Sequence, residues 1–75
     1  MKQSPAINTI TPLVNGRPME LPTGLTLDQL LQKLNLQPEH IAVAINEKVI
    51  ASEHFAEYRL GREDTVEIVQ FVGGG

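Results

Sequence analysis

The chain has 75 residues, six basic and nine acidic, with no cysteine. That length holds one hydrophobic core, which in a domain of this size buries only about 60% of the unfolded surface. The missing thiols exclude disulfides and a cysteine nucleophile, and a net charge of −3 with a pI near 5.2 excludes the basic footprint of a nucleic-acid binder.

Residues 1–9 are polar, contain Ser4-Pro5 and show no periodicity, so they read as a loose leader to a domain over 10–72. Ile10 to Val14 reads as a strand with Ile10, Pro12 and Val14 in phase. Pro12 cannot donate to a ladder and belongs at a strand start, an edge or a gap in pairing. Asn15-Gly16 tolerates positive φ at both positions and signals a tight hairpin. Pro18 to Leu21 is the return strand.

The strongest element follows. Leu27, Leu30, Leu31 and Leu34 keep the i, i+3, i+4, i+7 spacing of one apolar helical stripe. Thr26 with Gln29 makes a capping box, and Leu25 with Leu30 a hydrophobic staple. Asp28 in the first turn and Lys33 near the last suit the helix dipole. Asn35 supplies a left-handed exit and Pro38 blocks continuation. The stripe reads as core.

Ile41 to Ile45 alternates, with Ile41, Val43 and Ile45 on one side and Ala42 and Ala44 on the other. Asn46-Glu47-Lys48 turns the chain into Val49-Ile50. Ser52 to Tyr58 reads as a short helical turn, with Ser52 as its cap and Phe55 inward. Leu60 to Asp64 is a charged turn, and Thr65 to Val72 is the last strand. One helix crossing a small mixed sheet is the economical way to bury a single leucine stripe. The N-terminal hairpin and the last strand would then lie parallel through a right-handed crossover. The expected class is α+β, a ubiquitin-like β-grasp.

Catalysis needs a convergent constellation, and the residues offer none. His40 and His54 stand apart from any ligand cluster, so no metal site is expected. A solvated turn accounts for Glu63-Asp64 and a helix face for Glu53 and Glu57. Gly61 is alone, which rules out a phosphate-cradling loop. No apolar run approaches the ~20 residues of a membrane span, and the N-terminus has no signal-peptide core. A soluble cytoplasmic domain without a membrane partner is expected.

What remains is the end of the chain. Gly73-Gly74-Gly75 resists being fixed in a fold and stays mobile unless a partner grips it. It is either a frayed terminus or a thread that delivers the Gly75 carboxylate into another protein's active site. Along the strand before it, Val66 and Ile68 face one side and Glu67, Val69 and Phe71 the other. With Val66 and Ile68 in the core, Val69 and Phe71 form an outward apolar pair beside the thread. They are candidate docking residues, unless the chain's own turns cover them.

Val43-Ala44-Ile45-Asn46, the turn Leu60-Gly61-Arg62-Glu63-Asp64, the strand Val66-Glu67-Ile68-Val69 and the terminal glycines together resemble the ThiS family. These are sulfur carrier proteins of thiamine thiazole synthesis. The resemblance spans about residues 10–75, and the leader and Pro12 depart from it. It implies that a ThiF-type enzyme uses ATP and Mg²⁺ to adenylate Gly75. A sulfur donor protein then makes a thiocarboxylate, which a ThiG-type thiazole synthase consumes. Gly73 and Gly74 would give reach, and the chain would be a carrier with no cofactor of its own rather than an enzyme. A MoaD-like carrier for molybdopterin and a ubiquitin-like protein modifier share the tail and stay open as alternatives. A β-grasp binding module appended to RNA-handling enzymes fits less well, given the acidic balance.

Overall fold

The computed structural model describes residues 8–71. The expected glycine tail and the first seven residues of the expected leader lie outside the described residues. The fold begins ahead of residue 10: the Asn8 carbonyl accepts from the Thr23 amide at 2.9 Å. Strand β1 (Thr9–Ile10) pairs antiparallel with β4 (Leu21–Pro22). Strand β2 (Leu13–Val14) pairs antiparallel with β3 (Arg17–Pro18). The two long strands expected over 10–14 and 18–21 are thus each broken in the middle. Pro12 is the physical reason, because it has no amide to extend the ladder. Its carbonyl still accepts from Met19 at 3.0 Å, and its ring is fully buried. Asn15 (φ 52°) and Gly16 (φ 83°) make the tight turn between β2 and β3.

Helix α1 (Leu27–Lys33) begins where the cap residues predict. An isolated helix this short is marginal, and its first amides need partners from outside it. Each of the first three has one. The Leu27 amide donates to the Tyr58 carbonyl at 2.8 Å and the Asp28 amide to the Phe55 carbonyl at 3.0 Å. The Gln29 amide donates to Thr26 Oγ1, while the Thr26 amide donates to Gln29 Oε1. Leu27, Leu30 and Leu31 are completely buried, and Asn35 at φ 60° ends the helix.

The main sheet adds β5 (Ile41–Ile45), β6 (Lys48–Ile50) and β7 (Thr65–Gln70), in the order β3-β2-β7-β5-β6. Strand β7 is therefore central, parallel to β2 and antiparallel to β5. Ile41, Val43, Ile45, Val66 and Ile68 are buried with the helix leucines and Phe55. This is the expected β-grasp. Asn46 (φ 52°) and Glu47 (φ 72°) turn β5 into β6. The region after β6 holds a 3₁₀ turn, Ser52–His54, in which Ala51 rather than Ser52 is the cap residue and no side chain caps it. Phe55, inserted into the core, anchors that segment. No helix among the described residues is long and apolar enough to cross a membrane.

Candidate functional site

Strand β7 leads to the tail, and it is held along its whole length. At its start Asn46 makes three bonds. Its amide donates to the Thr65 carbonyl at 2.9 Å, its Oδ1 accepts from the Thr65 amide at 3.0 Å, and its Nδ2 donates to Asp64 Oδ1 at 2.9 Å. The other Asp64 oxygen accepts from the Gly61 amide at 2.7 Å. Glu63-Asp64 is thus more than a solvated turn, because Asp64 closes the loop that feeds β7. In the middle, Asn15 Oδ1 accepts from the Ile68 amide at 2.7 Å. At the end, Gln70 pairs with Ile41, and the Phe71 amide donates to the His40 carbonyl at 2.8 Å. A chain leaving at Phe71 departs from a fixed point in the middle of the sheet.

Val66 and Ile68 are buried, as the alternation requires, and Val69 and Phe71 are 57% and 60% exposed. Among the described residues, the chain's own turns leave both open. Gly73, Gly74 and Gly75 lie outside the described residues, so the geometry bears only on the platform that presents them. The histidines are not brought together with any reactive group. His40 is exposed beside the end of β7. His54 lies 3.9 Å from Glu53 and 3.8 Å from Glu57, on an exposed turn. Among the described residues no group of three potential ligands could hold a metal.

One titration is displaced. Burial, with the nearby Asp64 carboxylate second, raises the Tyr58 phenol above its ordinary value. The roles of Asn15 and Asn46 in seating β7 escape sequence reasoning. Both residues look like ordinary turn formers, and only the register shows where their amides reach. Their one signal is asparagine at positions where glycine would meet the φ requirement equally well.

Residues 13–75 match the ThiS family. The chain is 38% identical to the sulfur carrier protein ThiS of Bacillus subtilis over 50 residues, covering 67% of this chain and 76% of that one. It is 37% identical over 62 residues to a thiazole synthase of Magnetococcus marinus, covering 83% of this chain and 19% of the synthase. A second thiazole synthase, from Paramagnetospirillum magneticum, is likewise matched over 19% of its length. The chain thus spans about a fifth of the thiazole synthases it resembles. Among solved structures, the crystal structure of a thiamine biosynthesis protein (ThiS) from Geobacter metallireducens superposes with a TM-score of 0.75. That similarity is at 32% identity and covers 88% of this chain and all of the other.

Proposed function

The chain belongs to the ThiS family, and on that premise we propose that it is a sulfur carrier of thiamine biosynthesis with its chemistry at Gly75. The observation that carries the reading is that the family match extends from residue 13 to residue 75 and so takes in the three final glycines. The likeness to a named sulfur carrier over two thirds of the chain supports it.

In the proposed cycle the Gly75 carboxylate attacks the α-phosphorus of ATP in a ThiF-type enzyme that also holds Mg²⁺. Pyrophosphate leaves, and a poor electrophile becomes an acyl adenylate. A sulfur nucleophile supplied by a donor protein then displaces AMP, so one carboxylate oxygen leaves with AMP and one sulfur takes its place. A ThiG-type thiazole synthase accepts that sulfur and returns the carboxylate. Glycine leaves the acyl carbon unhindered, and Gly73 and Gly74 pass through channels too narrow for side chains. Four residues follow Phe71, which at full extension reach about 14 Å. The protein is a co-substrate in this scheme rather than an enzyme. Val69 and Phe71, exposed at the root of the tail, dock the partner.

Mass spectrometry of the intact protein, after incubation with ATP, the adenylating enzyme and a sulfur source, tests this. The expected product is heavier by the difference between sulfur and oxygen. Adducts with other proteins would replace the carrier reading with a protein modifier, and an unchanged mass with an active enzyme would sink both.

A further inference from the structure

The hairpin turn between β2 and β3 holds a pair of residues able to change their own covalent structure. Among Asn8, Asn15, Asn35 and Asn46, only Asn15 is followed by glycine. With no Cβ on the next residue, the Gly16 nitrogen meets little hindrance in approaching the Asn15 side-chain carbonyl. In an unrestrained chain that nitrogen, deprotonated by hydroxide, attacks Cγ. A bond forms between the Gly16 nitrogen and Asn15 Cγ, the Cγ–Nδ2 bond breaks, and ammonia leaves. Water then opens the cyclic imide at either carbonyl, which gives aspartate or isoaspartate. Water is the only co-reactant consumed, and nothing is oxidised or reduced.

Both residues are exposed, so burial does not keep water or base away from them. The backbone does the protecting. Asn15 sits at φ 52°, in the left-handed region where ψ is about +47°. Closing the five-membered imide requires a rotation about Cα–C that this region does not allow. The side chain is engaged as well: its Oδ1 accepts from the Ile68 amide at 2.7 Å. The Asn15 amide donates to the Val66 carbonyl at 2.8 Å. The Ile68 bond polarises the side-chain carbonyl, which favours attack, but it also pins that group to β7. Geometry decides, because a polarised carbon held away from its nucleophile does not react.

We propose that Asn15-Gly16 is a deamidation site silenced by the folded turn, and that release of the β2–β3 hairpin from β7 switches it on. Isoaspartate makes the event one-way. Its backbone runs through the former side-chain carbon, so the turn gains an atom between Val14 and Arg17, which pair in the native register. Its carboxylate is left on the α-carbon, one bond closer to the backbone, and no longer reaches Ile68. Aspartate keeps the original backbone and an oxygen for that bond, so the fold accepts it. The site is separate from the chemistry at Gly75.

The test incubates the full-length chain at mildly alkaline pH and follows residue 15 by peptide mapping, with isoaspartate resolved from aspartate by chromatography. Deamidation should run at least about tenfold slower in buffer than in guanidinium chloride, as for a segment that reacts through opening. Val14→Ala removes core contacts from β2 and should quicken the reaction in buffer about threefold or more, with its rate in denaturant as the control. The isolated isoaspartate form should exchange the Ile68 amide faster than wild type, while Asn15→Asp retains protection there. A rate in buffer within twofold of the rate in denaturant would overturn the proposal. So would an Asn15 that survives in denaturant, a Val14→Ala rate in buffer equal to wild type, or wild-type protection of Ile68 in the isoaspartate form.

Discussion

The side-chain oxygen of Asn15 lies 2.7 Å from the backbone nitrogen of Ile68, across 53 residues of sequence. Strand β2 has ended at Val14, so no backbone carbonyl is available at the next position along β7. The asparagine amide takes that carbonyl's place while its own backbone sits at φ 52° in the hairpin. One residue thus turns the chain and extends the parallel ladder.

Two substitutions separate those roles. Asn15→Gly keeps the positive φ and loses the bond, leaving the part-buried Ile68 amide without its acceptor, at a cost of about 1–3 kcal/mol. Asn15→Ala should cost roughly 1–2 kcal/mol more, because a Cβ opposes the left-handed conformation. Urea denaturation ranks the variants, and hydrogen exchange at the Ile68 amide should quicken in both. Equal stabilities for glycine and alanine would refute the backbone part.

Leu30 is fully buried at the centre of the helix stripe. Leu30→Ala should cost about 2–5 kcal/mol, against a total of roughly 4–11 kcal/mol for a chain of this length. Leu30→Asp places a charge in the same position and should abolish the fold. Circular dichroism on heating checks both, and a cooperative transition in Leu30→Asp would show that the core is less committed than its burial indicates.

Tyr58 offers an optical measurement, because the chain has one tyrosine and no tryptophan. Burial and the Asp64 carboxylate hold its pKa above 10.0 in the fold, so the neutral phenol is the form the native state favours. Its contribution to stability is intact below pH 10 and is lost as pH rises through the elevated native value. Phenolate absorbance should therefore titrate later in the native protein than in urea. Tyr58→Phe should blunt the alkaline loss of stability. Coincident native and unfolded titrations would contradict the assignment.

Gly75→Ala tests the reacting terminus. Adenylation should fall while stability stays within about 0.5 kcal/mol of wild type. Pyrophosphate release gives the first quantity and calorimetry the second. Unchanged pyrophosphate release would move the chemistry away from that residue.

The helix and its cap were legible because they are written in neighbouring residues. Thr26, Gln29 and the four leucines lie within nine positions; the structure uses the cap pair and buries Leu27, Leu30 and Leu31 as that spacing implies, while Leu34, the C-cap residue, is half-buried against the same core. Val69 and Phe71 were legible by alternation once Val66 and Ile68 were placed in the core. The break at Pro12 was legible in kind, though not its effect of splitting both strands of the hairpin. Asn46 and Asp64 were opaque because their bond joins two turns that strand pairing alone brings together.

The central position of β7 has a consequence for how the protein is made. Ribosomal synthesis releases this strand after every other element of the domain, yet both flanking strands, β2 and β5, pair with it. The sheet cannot close while β7 is still inside the exit channel, and contacts spanning so much sequence form late. A chain cut short before this strand keeps only the separate pairings β1–β4, β2–β3 and β5–β6, and proteases clear it. Completeness of the fold thus certifies that synthesis has reached the threshold of the tail.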